Sequence, residues 1–319
     1  MIKYNTPQEL FTAICDKIRD KTNSNELINH QDIPDKIKLM DNNDTILFMD
    51  SAIQGKNTIC YSFNNTTITK ISSKIFSTTN LTNIDLPECT SIVESAFREC
   101  TNLTTANLPK CTFIGYAAFH SCTSLTTINL PKCTSIGDHV FGGCTSLTTI
   151  DLLECTSIEE SAFRECTNLT MVNLPECTSI GPYVFGGCTN LTTVNLPKCT
   201  TLGNSAFDYC TNLTTIDLPE CTYIDYSVFN GCTNLTTINL PKCTYIAKYV
   251  FNNCTSLTTI ILSNNQIVTL KDIRAFNNSS IANGTGYIYV PDNLVDSYKS
   301  DNNWSTYANQ IKPLSELSN

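Results

Sequence analysis

Residues Leu125 to Ser146 read LTTINLPKCTSIGDHVFGGCTS, and the chain repeats this stretch, with substitutions, every 22 residues. Leucine opens each unit at Leu81, Leu103, Leu125, Leu147, Leu169, Leu191, Leu213, Leu235 and Leu257. Three residues on, Ile84, Ala106, Ile128, Ile150, Val172, Val194, Ile216, Ile238 and Ile260 follow, and two later Leu86 through Leu262. Apolar Ile128 and Leu130 flank polar Asn129, the alternation of a short strand with one face in a core. Pro131 and its equivalents cannot donate to a ladder, so they end that strand. Ile136 and Phe141, echoed by Ile92/Phe97, Ile158/Phe163, Ile180/Phe185, Leu202/Phe207, Ile224/Phe229 and Ile246/Phe251, are expected to close the far side of the core from an irregular or short helical convex segment. One unit cannot bury these faces alone, so the units must stack.

The pattern L-x-x-I-x-L-x-x-C is the leucine-rich-repeat signature, in which Asn or Cys fills the ninth position. The tail of each unit, Thr134-Ser135-Ile136-Gly137 through Phe141-Gly142-Gly143-Cys144-Thr145-Ser146-Leu147, resembles the BspA-like leucine-rich repeats of bacterial surface, virion-associated and some protist proteins. The resemblance covers residues 71 to 278. It departs from many relatives in its 22-residue length and in the Lys/Glu-Cys-Thr that follows the proline. It implies a leucine-rich repeat solenoid with one short parallel β-strand per repeat, a small helical N-terminal cap and an α/β C-terminal cap. It says little about ligand, because members share a scaffold rather than a partner.

Eighteen cysteines among 319 residues suggest at first a disulfide-stapled secreted protein. From Cys89 to Cys254, however, they fall 11 residues apart, with only Cys15 and Cys60 outside the series. A fixed period reports architecture. Like cysteines of adjacent repeats lie about 4.8 Å apart, a spacing that does not forbid disulfides, but parallel inward side chains approach poorly. The expectation is buried thiols that act as small fillers and weak donors to turn carbonyls. No C-x-x-C pair or cysteine–histidine cluster points to zinc, and no metal or cofactor is expected.

The outward positions of the strand are uniform. The residue after each opening leucine is threonine from Thr82 to Thr258, and the next is threonine except at Asn83 and Met171. Two residues further stand Asp85, Asn107, Asn129, Asp151, Asn173, Asn195, Asp217 and Asn239. On the expected concave face, Thr105, Asn107, Thr127, Asn129, Thr149, Asp151, Thr193, Asn195, Thr215, Asp217, Thr237 and Asn239 are the candidate binding residues. The bland reading is a solvated β surface of the kind any exposed strand tolerates. A threonine ladder of the ice-binding type is disfavoured by a curved sheet and the absence of T-x-T. Beyond the proline runs a charge ladder, Glu88, Lys110, Lys132, Glu154, Glu176, Lys198, Glu220 and Lys242, whose opposite neighbours support the stacking register. Asp85/Glu88, Asp151/Glu154 and Asp217/Glu220 recur every 66 residues, and Arg98/Glu99 returns as Arg164/Glu165, which suggests triplication of a three-repeat block.

The ends differ. Residues 1–40 read as a helical module: Thr6-Pro7-Gln8-Glu9 is a capping box with proline at its first position, and Leu10, Phe11, Ile14 and Ile18 share a face. This segment resembles the amino-terminal segment joined to such repeats in phage tail-associated and related low-GC bacterial proteins. Residues 41–70 alternate enough to supply a β cap, and 71–282 hold the repeats. Residues 283–319 are expected to form a C-terminal cap with a strand at Tyr287-Ile288-Tyr289-Val290-Pro291, a helix near Asn293 to Lys299 and a second helix containing Trp304, Tyr307 and Ile311; the segment resembles the family's carboxy-terminal cap. Such atypical ends stop edge-to-edge association.

The balance of 20 basic against 29 acidic residues gives a net charge of −9, which supplies no basic stripe for nucleic acid. No apolar run of 18 residues suits membrane insertion. The start Met1-Ile2-Lys3-Tyr4-Asn5-Thr6-Pro7 lacks the apolar core of a signal peptide, so cell-surface display competes with a virion-borne setting. His30, His120 and His139 stand singly, and no G-x-S-x-G, P-loop, dinucleotide or H-E-x-x-H motif accompanies them, so an enzyme is not expected. The expected function is binding or adhesion to a protein or glycan through the concave face, with other subunits of a larger assembly as further partners. The rival is a structural spacer whose binding is confined to its ends.

Overall fold

A computed structural model describes residues 50–52, 60–62, 69–71, 73–74, 76–78 and 81–317. The expected helical module over residues 1–40 lies outside the described residues. Of the expected β cap, the strands Asp50–Ala52 and Cys60–Ser62 are described, paired antiparallel.

The repeats wind into a parallel β-solenoid. In the unit from Leu125, Thr127–Asn129 forms the anticipated strand. The chain turns at Pro131-Lys132, closed by the Cys133 N–H donating to the Leu130 carbonyl at 3.2 Å. Thr134 then re-enters register, its N–H and hydroxyl both donating to the Thr112 carbonyl at 3.0 and 3.2 Å. A second strand, Ser135–Ile136, follows immediately. The solenoid thus has two sheets where the single-strand reading gave one. A strand of two residues carries one inward side chain, too few for an alternation to show in the sequence.

The second sheet runs unbroken through ten strands, from Lys70–Ile71 to Thr269–Leu270. The first is divided: three strands, from Asn83–Asp85 to Thr127–Asn129, then eight from Thr149–Asp151 onward. Within the eight, pairing between Thr193–Asn195 and Thr215–Asp217 shrinks to the single partnership Asn195↔Asp217. Elsewhere adjacent repeat strands of this sheet pair over three residues, as Thr149–Asp151 does with Met171–Asn173.

After the second strand comes an irregular turn, as expected. Its backbone is left-handed twice per repeat, for example at Ser161 (φ 55°) and Glu165 (φ 60°). The reversals aim alternate N–H groups at the next repeat: His139, Phe141 and Gly143 donate to Glu160, Ala162 and Arg164 carbonyls at 2.8, 2.7 and 2.8 Å. Left-handed backbone costs roughly 1–2 kcal/mol in an L-residue, and a ladder of inter-repeat hydrogen bonds offsets that cost. At Gly231 (φ 72°), whose equivalents Glu165 and Tyr209 are also left-handed, a Cβ would lie 2.9 Å from the Tyr209 ring of the preceding repeat, so glycine leaves room for that ring.

Between the sheets and the turn lies one continuous core. The opening leucines, the Ile136 set and the phenylalanines are buried. Ten rings from Phe76 to Phe276 stack into a column with centroids 5.1–5.6 Å apart and planes within 5–19°. Burying each ring contributes on the order of 1.5–3 kcal/mol. The sixteen cysteines of the 11-residue series are buried free thiols. One ladder donates two residues ahead, as Cys133 Sγ to the Ser135 carbonyl at 3.3 Å; the other reaches back a repeat, as Cys144 Sγ to the Phe119 carbonyl at 3.2 Å.

At the C-terminal end, Tyr287–Val290 adds to the first sheet and Val295–Ser300 is helical. The expected last helix is a short 3-10 turn, Trp304–Tyr307, and Ile311 belongs to a strand, Ile311–Pro313, that pairs with Tyr287–Val290. The residues between serve the open end of the second sheet. Trp304 Nε1 donates to the Val268 carbonyl at 2.6 Å, Asn303 Nδ2 to the Leu270 carbonyl at 2.7 Å, and the Val268 N–H donates to the Tyr298 hydroxyl at 3.0 Å. The Tyr307 hydroxyl donates to the Ile273 carbonyl. Phe276 ends its column against Trp304 and Tyr307. Pro313 sits on the outermost strand of the first sheet, where a missing N–H blunts further pairing.

Candidate functional site

The candidate residues lie on the outward face of the first sheet, brought into rows by register: Thr105 beside Thr127 and Asn107 beside Asn129, then Thr215 beside Thr237 and Asp217 beside Asn239. Met171 and Asn173 complete the row between Thr149/Asp151 and Thr193/Asn195. They share the same repeat offset, and Met171 is an exposed apolar side chain amid hydroxyls.

Hydrogen bonding sorts the face into committed and available groups. In six repeats the first threonine is committed: Thr104, Thr126, Thr170, Thr192, Thr236 and Thr258 donate their hydroxyls to the carbonyl one repeat back, at 2.9–3.4 Å. Of the second threonines, Thr105 donates to Asn83 Oδ1 at 2.7 Å. Among the described residues, the hydroxyls of Thr127, Thr149, Thr193, Thr215 and Thr237 have no protein partner, which leaves a row of hydroxyls for solvent or ligand. The asparagines form a ladder. Asn107 and Asn129 each donate one repeat back, to Asp85 and Asn107, at 2.9 and 2.8 Å; Asn173 and Asn195 do so to Asp151 and Asn173, both at 2.8 Å.

The ladder follows the 66-residue period in the first two blocks. Aspartate heads each block: Asp85 and Asp151 accept from Asn107 and Asn173, and an aspartate has no hydrogen to pass to the asparagine before it. Asn129 therefore finds no donor in Asp151, nor Asn195 in Asp217; the first sheet is broken between the former pair of repeats and thinned to one partnership between the latter. The Thr148 and Thr214 hydroxyls and N–H groups also lack the bonds that their equivalents make one repeat back. Below the seams, Ile128 is only half-buried and Val194 is 8% exposed, whereas Val172, inside a block, is 0% exposed.

The charge ladder resolves into four ion pairs: Lys110–Glu88 at 2.7 Å, Lys132–Glu154 at 2.5 Å, Lys198–Glu176 and Lys242–Glu220 at 2.6 Å. All are exposed, and each contributes about 0.2–1 kcal/mol. Their value lies in register more than in stability.

The second sheet's outer face went unread as a surface. It carries exposed Phe113 and a stacked pair, Tyr223 and Tyr245, with centroids 4.9 Å apart. Around the adjoining turn, Tyr226 meets Tyr249 edge-on, and Lys248 and Arg274 lie over the Tyr249 ring at 4.5 and 5.6 Å. The signal was a change from Thr-Ser-Ile to Thr-Tyr-Ile at Tyr223 and Tyr245.

The chemistry of the interior is quiet. Burial pushes the Cys89 and Cys177 thiols up to about 11 and those of Cys111, Cys155 and Cys199 up to about 12, so none offers a thiolate near neutrality. His120 is half-buried beside Ser121 Oγ at 2.9 Å, and burial, reinforced by Arg98, lowers its pKa. Among the described residues no group of three or more His, Cys, Asp or Glu is placed to hold a metal ion, and no helix is long and apolar enough to cross a membrane.

Comparison with known proteins agrees with this architecture. A search of curated protein sequences finds no match. Among solved structures, a leucine-rich cell surface protein of Faecalibacterium prausnitzii A2-165 is 24% identical, with a TM-score of 0.51 over 76% of this chain and 74% of that one. The Treponema pallidum leucine-rich repeat protein is 24% identical over 66% of this chain and 88% of that one (TM-score 0.41), and a Bacteroides ovatus leucine-rich repeat protein is 18% identical over 85% and 100% (TM-score 0.38). The likeness to the F. prausnitzii protein is one of fold. The model of the BspA-type leucine-rich repeat region, six copies long, matches residues 69–192 and again 178–294. With most of its length matched and each turn built on the same pattern, the chain belongs to the BspA-type leucine-rich repeat family.

Proposed function

We propose that the protein is a non-enzymatic binding or adhesion module that recognises a protein or glycan through the outward face of its first sheet. The observation that carries this reading is the row of uncommitted hydroxyls at Thr127, Thr149, Thr193, Thr215 and Thr237 beside exposed Met171. In this reading residues 1–40 and 283–319 are end modules that attach the repeats, 71–282, to a cell surface or a virion, with residues 41–70 covering the first repeat. The F. prausnitzii relative's description as a cell surface protein supports the setting.

The spacer reading has its own support: the asparagines and half the threonines of the face bond to the solenoid itself. The two separate in a pull-down from surface extracts and a glycan array, comparing the native chain with a variant carrying Thr127→Arg, Thr149→Arg and Thr193→Arg. Loss of capture by the variant supports recognition by this face; capture that survives unchanged overturns it and favours the spacer.

A further inference from the structure

We infer that the solenoid hinges at two points in its first sheet, between the third and fourth repeats and between the sixth and seventh, so that it moves as blocks of three repeats. Four features coincide at these points. Hydrogen-bonded pairing is absent between Thr127–Asn129 and Thr149–Asp151 and reduced to one partnership between Thr193–Asn195 and Thr215–Asp217. The Thr148 and Thr214 N–H groups, whose equivalents Thr126, Thr170, Thr192 and Thr236 donate one repeat back at 2.8–3.0 Å, donate to no carbonyl. The asparagine ladder stops, because Asp151 and Asp217 stand where a donor is required. The core residues on the near side, Ile128 and Val194, are the more exposed of their row.

The other side of each seam is intact, as a hinge requires. Ser135–Ile136 pairs with Ser157–Ile158 and Thr201–Leu202 with Tyr223–Ile224. Turn bonds cross both points: Phe141 N–H to the Ala162 carbonyl at 2.7 Å and Phe207 N–H to the Val228 carbonyl at 2.9 Å. So do ring stacks, Phe141 on Phe163 at 5.1 Å and Phe207 on Phe229 at 5.6 Å. With the second sheet, the turn and the ring column held, the remaining freedom is rotation that opens or closes the first sheet. Lys132–Glu154 spans the first seam as a flexible tie at 2.5 Å, long enough in its side chains to follow such motion. The device concerns the scaffold itself and does not depend on what the face binds.

Amide hydrogen exchange on the full chain, read residue by residue, tests the hinge. Thr148 and Thr214 are expected to exchange at least tenfold faster than Thr126, Thr170, Thr192 and Thr236. Asp151→Asn restores the missing donor with a residue already tolerated at Asn107, Asn129, Asn173, Asn195 and Asn239; it is expected to slow Thr148 at least tenfold and leave Thr214 and the second-sheet amide of Thr156 unchanged. Spin labels carried on non-canonical residues at positions 105 and 193, which bracket the first seam, are expected to give a distance distribution that narrows in Asp151→Asn. Protection of Thr148 and Thr214 equal to their neighbours, or fast exchange and a broad distribution that persist in Asp151→Asn, would overturn the proposal.

Discussion

The two sheets of each turn face the same repetition and answer it differently. The second is made of two-residue strands, yet it pairs without interruption from end to end; the first has three-residue strands and is broken once and thinned to a single partnership once. Strand length does not decide continuity. The two sheets differ in the side-chain bonds that flank the ladder. Along the second sheet, Thr134, Thr156, Thr178, Thr200, Thr222 and Thr244 all back their N–H bonds with a hydroxyl to the same carbonyl one repeat back. Along the first, one aspartate per block withholds a hydrogen.

The largest expected effect strikes both sheets together. Burial holds thiols such as Cys111 and Cys243 at about 12, whereas an unfolded cysteine ionises near about 8.5. Because the folded values are raised, stability is full below the unfolded value and falls as pH climbs above it, by about 1.4 kcal/mol per thiol for each pH unit until the folded value is reached. Urea denaturation at pH 7, 9 and 10 is expected to show a steep alkaline collapse; a flat profile to pH 10 would mean that the thiols are not held in the apolar interior.

Next is the ring column, which carries extra weight where the first sheet is parted. Phe163→Ala is expected to cost about 3–5 kcal/mol and to split urea unfolding into two transitions, because it weakens the link across the first seam. Phe185→Ala, inside a block, is expected to cost as much and leave one transition. Identical curves would remove the contrast between seam and block.

A seam can also be created. Asn173→Asp places a carboxylate where Asn173 now donates to Asp151, and is expected to cost about 0.5–1.5 kcal/mol and expose the Thr170 amide to exchange. If Thr170 stays protected, aspartate alone does not part the sheet. The smallest effect is at Lys132: Lys132→Ala should cost about 0.2–1 kcal/mol at low salt and nothing measurable in 1 M salt, judged by the thermal midpoint.

Most of the winding was legible because it rests on spacing. Leucines, isoleucines, phenylalanines and cysteines at fixed offsets must point inward if stacked units are to share a core, and their burial follows. Ser135–Ile136 was not legible as a strand, since Ile136 alone carries its inward signal. Ile311 read as helical because it follows Trp304 and Tyr307 at near-helical spacing, but its backbone satisfies the open edge of Tyr287–Val290 instead. For the candidate face, the residues could be named from the repeat but not sorted. Thr126 and Thr127 are the same residue type one position apart, yet only the hydroxyl of Thr126 reaches a carbonyl.

The sequence by itself determined the period, the inward and outward sets, the cysteine ladders and the 66-residue blocks, because each is a count along the chain. Tertiary structure decided which outward groups remain free, where the first sheet parts, and how the last turns close the second. Those outcomes depend on whether a donor in one repeat meets an acceptor in the next, and only the stacked chain brings the two within reach.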